Sequence, residues 1–162
     1  MNISEKGLDL IKQFEGYRPN AYNDGVGVIT IGYGTTRYPN GAKVLLGEKC
    51  TEEQANFWLF ADVRKAEKKV NNLIFGKELT QCQFDALVSF EYNTGALASS
   101  TLYKKAAIDP YDPEIFEYSM ENPTDSCEFL KWVKGTKAGK KIILKGLVIR
   151  RMAEADLYKS LV

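Results

Sequence analysis

Apolar positions recur with helical spacing from the start of the chain. After Ser4, a good helix cap, Leu8, Ile11 and Glu15 fall at i, i+3 and i+7, on one face of a helix that Gly16 is placed to end. From Pro19 the period changes to two. Asp24-Gly25 is a two-residue hairpin turn signal, and in the Val-, Ile- and Gly-rich run beyond it Val26, Val28, Thr30 and Gly32 share one face. With a second turn at Asn40-Gly41, this predicts a small antiparallel sheet over residues 20 to 47 or so. Thr51-Glu52-Glu53-Gln54 is a capping box, and Ala55, Trp58, Leu59, Val63, Ala66, Val70 and Leu73 extend its helix to residue 73. A helix of about 22 residues is ~33 Å long, enough to link two lobes.

A second box, Thr80-Gln81-Cys82-Gln83, opens a helix on which Phe84, Leu87, Val88 and Glu91 share a face, and Asn93 to Gly95 ends it. Ser99 to Ile108 reads as the next helix. Asp109-Pro110 and Asp112-Pro113 punctuate a loop before a short helix, and a closing helix runs from Gly146 to Leu161. No repeat or linker interrupts the chain. The expected class is α+β: one 162-residue domain with a sheet lobe at 16–50, a linking helix at 52–73, and a larger helical lobe at 74–162 that takes in the N-terminal helix.

Charge and composition narrow the chemistry. A net charge of +1 argues against bulk nucleic-acid binding, which needs many phosphate-neutralising cations. Cys50, Cys82 and Cys127 are odd in number and lack metal-like spacing, so they read as free thiols made in a reducing compartment, with no metal and no cofactor expected. The chain has no histidine, which removes the commonest general base and every Ser-His or Cys-His scheme. Hydrolytic chemistry must then rest mainly on carboxylates. The N-terminus lacks the pattern of a signal peptide and no window holds the ~20 apolar residues of a membrane span, so the product is expected in the cytosol.

Glu15 is the first candidate. It lies on the apolar stripe in the last helical turn, where partial burial and the helix dipole both push a carboxyl pKa upward, as a general acid requires. The plainer alternative is a surface Glu at a frayed helix end. Asp24 alone reads as a turn aspartate and Thr30 as a strand threonine; Gly25, Gly27, Gly32 and Gly34 leave a bare surface suited to a bulky ligand or to bulges. Glu91 reads as a buried structural carboxylate paired with Arg or a backbone donor. Residues 106–130 hold seven acidic side chains and no Lys or Arg, and residues 131–145 six lysines and no acid. Three readings stand for these blocks: pairing across a loop, solvated faces, or a basic rim facing an anionic cell-wall polymer.

A helix-ending Glu, eight residues, an Asp, five residues, then Thr-Ile-Gly-x-Gly is the pattern made by Glu15, Asp24 and Thr30-Ile31-Gly32-Tyr33-Gly34. With Leu79-Thr80-Gln81, the run Phe84 to Phe90, Asn93, Gly95, Trp132, Gly146-Leu147-Val148, Arg150-Arg151 and Glu154, it resembles the phage-type lysozymes, or endolysins, of the glycoside hydrolases over nearly the whole chain. Two features depart. Thr35 stands where the family commonly has His, so any ion pair of that His is absent, which bears on local stability more than catalysis. Residues 109–128 match poorly.

The resemblance implies a lysozyme-like fold and cleavage of the β-1,4 bond between N-acetylmuramic acid and N-acetylglucosamine in peptidoglycan. Glu15 would be the general acid, Asp24 would work across the sugar ring, and Thr30 would hold the water, with inversion at the anomeric centre. Gly34, Tyr92, Asn93 and Thr101 would contact substrate. Arg150 and Arg151 are expected to pack and ion-pair in the closing helix; pairing of either with Glu15 would lower that carboxyl's pKa and oppose the upward shift. The implied protein is a monomer without a membrane span, acting on the wall of its host after a separate holin-type membrane-disrupting protein admits it from the host cytoplasm. The alternatives are a noncatalytic or tail-associated peptidoglycan-binding module and a chitin-directed relative.

Overall fold

The computed structural model describes residues 1–25, 27–124, 126–137 and 139–160, with Lys137 described by its backbone alone. In chain order the elements are α1 (Glu5–Glu15), β1 (Arg18–Asn23), β2 (Ile29–Gly32), α2 (Glu52–Leu73), α3 (Gln81–Thr94), α4 (Thr101–Ile108), β3 (Lys134–Lys137), β4 (Lys140–Ile143) and α5 (Lys145–Lys159). Short 3-10 turns stand at Leu97–Ser99, Pro113–Ile115 and Phe129–Lys131. β1 pairs with β2 and β3 with β4, each antiparallel, so the fold is α+β as expected. The chain divides into two compact units, residues 9–65 and residues 1–8 together with 66–162.

Within residues 9–65 the sheet is irregular for identifiable reasons. The register passes from Arg18↔Gly32 to Tyr22↔Thr30, so β1 carries extra residues in a bulge. Pro19, inside β1, has no N–H to give the ladder, but its carbonyl accepts from the Cys50 N–H at 2.9 Å. Asp24-Gly25 is not a two-residue turn. β1 ends at Asn23 opposite Ile29, and the connection is a wider loop held by side-chain acceptors. Asn23 Oδ1 takes the N–H groups of Gly25 at 3.0 Å and Gly27 at 3.2 Å, and this local capping outcompetes the tighter turn. Nor does the strand alternate. Val28 is exposed, whereas Thr30, Ile31 and Gly32 are all buried, and Val26 lies outside the described residues. At Gly32 a Cβ would stand 2.8 Å from that of Ala55, so the bare backbone lets β2 lie against the start of α2. There the predicted capping box is formed, with Gln54 N–H on Thr51 Oγ1 at 3.2 Å and Thr51 N–H on Gln54 Oε1 at 2.9 Å.

The other unit is built on α3, buried from Cys82 to Glu91 and packed on α5. Its Thr80–Gln83 capping box and its left-handed Gly95 at the far end match the sequence reading. The N-terminus is tied down by buried acids: Asp85 Oδ1 accepts the Ser4 N–H at 2.9 Å, and Gly7 is bare where a Cβ would meet Asp85 at 2.7 Å. Glu91 pairs with Lys69 at 2.7 Å, rather than an Arg, and accepts the Leu97 N–H at 3.0 Å. Phe90, Phe129, Trp132 and Tyr158 form an edge-to-face aromatic cluster. Between α5 and α3 lies a buried ionic group in which Glu154 meets Arg151 Nη1 at 2.7 Å, Arg150 Nε at 3.2 Å and the Ser89 hydroxyl at 2.7 Å. Burial pushes the Glu154 carboxyl upward and the Arg151 guanidinium downward, each opposed by the charge of its partner. The β3–β4 hairpin is an element the sequence reading did not contain. Its side chains alternate too weakly between lysine and aliphatic residues to give a period-two signal. Cys50, Cys82 and Cys127 are buried free thiols.

Glu154→Ala removes the carboxylate that Arg151 meets in the buried cluster, and breaking a buried pair costs about 3–5 kcal/mol; urea unfolding is expected to show an unfolding free energy lowered by about that amount. A second expectation concerns alkali. Burial and the neighbouring Glu48 carboxylate push the Tyr38 phenol up to about 12. The unfolded chain releases that proton near pH 10, so the native form binds more protons above pH 10 and loses stability as pH rises toward 12. In Tyr38→Phe, chemical unfolding across pH 9 to 12 should show a shallower decline.

Candidate active site

Glu15 is the last residue of α1 and is half-buried. Gly16 ends the helix at φ 68, its N–H on the Lys12 carbonyl at 2.9 Å. What faces the carboxylate comes from the turn after β2. Ile31 and Thr35 exchange both backbone hydrogen bonds at 2.9 Å, closing a turn over Gly32, Tyr33 and Gly34. Gly34 adopts φ 83, and a Cβ on it would lie 3.1 Å from Glu15 Oε2. A side chain there would make the carboxylate give way by a few tenths of an ångström, on top of the strain of the left-handed backbone. Tyr33 steadies the turn from behind, its hydroxyl donating to Glu52 Oε1 at 3.0 Å and its ring 5.5 Å from that of Tyr17. Burial, then the Glu52 carboxylate, raises the Tyr33 phenol above its ordinary value, which keeps this donor protonated.

Asp24 and Thr30 occupy the loop and strand of the same unit. Asp24 is exposed; its N–H donates to the Val28 carbonyl at 3.0 Å and its Oδ1 accepts the Val28 N–H at 3.1 Å. One carboxylate oxygen therefore shapes the loop. Thr30 is only 5% exposed, on β2 opposite Tyr22. Thr35, at the family's histidine position, is buried and contributes the backbone pair with Ile31.

The remaining candidates belong to the other unit. Tyr92, half-buried, and Asn93, exposed, stand in the last turn of α3. Asn93 Oδ1 accepts from Arg151 Nη2. Thr101 opens α4 and commits its hydroxyl proton to Glu128 Oε2. Sequence reasoning missed the link between Arg151 and Asn93, since nothing in a helical stripe tells a buried arginine from a surface one. It also missed Lys134 and Lys141 as neighbours of Asn93 and Trp132 along one groove; their signal was the acid-free run of residues 131–145. Among the described residues no cluster of His, Cys, Asp or Glu has the makings of a metal site.

A helix-ending carboxylate set against a glycine turn in an α+β chain is the arrangement of a lysozyme-type glycoside hydrolase. Comparison with known proteins gives the same answer. Residues 12–154 match the family model for phage lysozyme. The endolysin of Acyrthosiphon pisum secondary endosymbiont phage 1 is 40% identical over 162 residues, 99% of each chain. Among solved structures, the endolysin from Escherichia coli O157:H7 phage FAHEc1 superposes with a TM-score of 0.83 at 41% identity, covering 100% of this chain and 96% of that one. The muramidase domain of SpmX from Asticaccaulis excentricus does so with a TM-score of 0.77 at 30% identity, covering 98% of each. The chain belongs to the phage lysozyme family and is a glycoside hydrolase of the endolysin type.

Gly34→Ala forces a Cβ into the left-handed region and against the Glu15 carboxylate. The backbone strain costs about 1–2 kcal/mol, and the 3.1 Å approach makes the carboxylate give way by a few tenths of an ångström. Wall-lysis rate is expected to fall far more than thermal stability when both are measured on the same preparation.

Proposed function

We propose that this endolysin hydrolyses the β-1,4 bond between N-acetylmuramic acid and N-acetylglucosamine in peptidoglycan and thereby lyses the host cell. The observation that carries the reading is the seat of Glu15, a half-buried carboxylate ending α1 with Oε2 against the bare Gly34 backbone. Glu15 protonates the leaving glycosidic oxygen. Asp24 stabilises oxocarbenium character from across the ring and helps orient water, its loop held by the Val28 and Asn23 hydrogen bonds. Thr30 holds the attacking water, and a hydroxyl so enclosed serves one ordered molecule rather than bulk solvent. The displacement is single and inverts the anomeric centre, the course open to sites that leave room for a water. Tyr92 offers its ring to a pyranose face, and Asn93, Gly34 and Thr101 line the bound glycan. The muramidase named among the structural relatives supports the choice of bond. The protein works as a monomer and reaches the wall after a separate membrane-disrupting protein opens the inner membrane; no described helix is long and apolar enough to cross it.

Glu15→Gln keeps the shape and removes the proton. Loss of a positioned general acid costs about 10²–10⁴-fold, so turnover of purified peptidoglycan should fall by that factor with melting unchanged, and undiminished lysis would sink the assignment. Asp24→Asn and Thr30→Ala should likewise lower kcat more than stability. Mass spectrometry of the digest should find muramic acid at the new reducing ends, and NMR of the nascent product the inverted α-anomer.

A further inference from the structure

The β3–β4 hairpin belongs to the unit formed by residues 1–8 and 66–162, and it is rooted at its base: Val133 is buried, and its carbonyl accepts the Leu144 N–H at 2.9 Å. Beyond that root the ribbon stands in solvent. Every side chain of β4 is exposed, two isoleucines among them, Ile142 at 38% and Ile143 at 51%, and Leu144 follows at 37%. The ladder pairs Lys134 with Ile143, Gly135 with Ile142 and Thr136 with Lys141, and residues paired across a ladder share a face. One face therefore carries Lys134, Lys141 and Ile143, and the other Lys140 and Ile142. Each presents ammonium groups beside an aliphatic side chain.

The charge is as one-sided as the exposure. Residues 131–145 hold six lysines and no acid, which exceeds the whole chain's net charge of +1, so the remainder of the molecule is net acidic. A molecule polarised in this way turns its basic end toward an anionic surface. Lys134, Lys140, Lys141 and Lys145 are exposed and have no ion-pair partner among the described residues. Lysines on a two-stranded ribbon guard its open edges against pairing with another strand, but that duty gives no reason for isoleucine on both faces. Nor is the ribbon suited to nucleic acid. Between residues 133 and 145 there is no aromatic ring to stack on a base and no arginine to grip a phosphate. Aliphatic side chains flanked by long-stemmed lysines match a bilayer interface, where the isoleucines enter the acyl boundary and the ammonium groups stay at the headgroup phosphates.

We propose that the β3–β4 hairpin docks the protein on an anionic phospholipid bilayer, peripherally and without crossing it. Docking needs no glycan and no cleavage, so it is tested with vesicles alone and stands or falls separately from the hydrolase reading. Wild-type protein should co-sediment with vesicles of phosphatidylglycerol and phosphatidylethanolamine and not with vesicles of phosphatidylcholine, and the bound fraction should fall as salt is raised. Lys140→Gln/Lys145→Gln should lower the partition coefficient about thirtyfold, roughly fivefold per lysine. Ile142→Ser/Ile143→Ser should lower it about tenfold and abolish the binding that persists at high salt. Both pairs lie at the surface, and the melting temperatures should match the wild type's. Equal sedimentation with the two kinds of vesicle, or undiminished binding in both variants, overturns the proposal. Loss in the lysine variant alone would assign the ribbon to acidic polymers in general and overturns it too. So does a wild-type dimer in sedimentation velocity that the isoleucine variant abolishes while neither protein binds vesicles, since the ribbon then belongs to a second copy of the chain.

Discussion

Two backbone hydrogen bonds of 2.9 Å between Ile31 and Thr35 close a turn in which two glycines face different neighbours. Gly32 is bare toward Ala55 at the start of α2, and Gly34 is bare toward the carboxylate that ends α1. A single tight turn thus sets the sheet on one helix and the acid beside the sheet. Both contacts rely on positive φ, 64 and 83, which other residues adopt only under strain. The glycines are therefore structural requirements of the carboxylate's position. Thr35 fits the same logic, being a buried residue whose backbone closes the turn.

The second unit meets a different constraint, that of charge taken out of water. Glu154 is fully buried between Arg150, Arg151 and Ser89, its one carboxylate shared by two guanidinium groups and the Ser89 hydroxyl. Its consequence reaches the surface through Arg151. With one guanidinium nitrogen on Glu154 and another on Asn93, it fixes which end of an exposed amide faces solvent. The ring of Phe90, 5.0 Å from the Arg151 guanidinium, leaves it little freedom to turn away. A buried ion pair thereby sets the orientation of an exposed amide, a role distinct from any gain in stability.

What could be read in the sequence follows from which interactions are local. α2, its capping box, the ends of α1 and α3, and the α+β class depend on spacing within a turn or two of helix, and they match. The hairpin after β1 failed because Asn23 and Asp24 offered their side chains to the loop amides, an option that competes with the tight turn and leaves the same dipeptide in the sequence. The expected single buried face of β2 failed because the strand is covered on both sides after Ile29. Glu91 was foreseen as a buried structural carboxylate, but its partner, Lys69, lies far off in sequence, where no periodicity points. Asp24 and Thr30 carry no local signature beyond turn and strand, and their candidacy came from spacing alone.

The opposed charge blocks show how far such a local reading extends. The acidic stretch of residues 106–130 finds most of its described partners elsewhere: Asp112 and Glu114 on Lys105, and Glu117 on Lys159 at 3.7 Å. Among the described residues, only Lys131 of the basic block turns back to it, through Glu128. Among the described residues, then, Asp112, Glu114 and Glu117 pair with lysines of the flanking helices rather than with the basic block. Had they paired across the loop, Lys134 and Lys141 would be spent. Their position on a hairpin whose β4 side chains are all exposed leaves the positive charge facing outward, beside Trp132 and the donor end of Asn93. Self-repulsion between like charges on one face of a two-stranded ribbon is a local cost that the hairpin carries without an acid of its own.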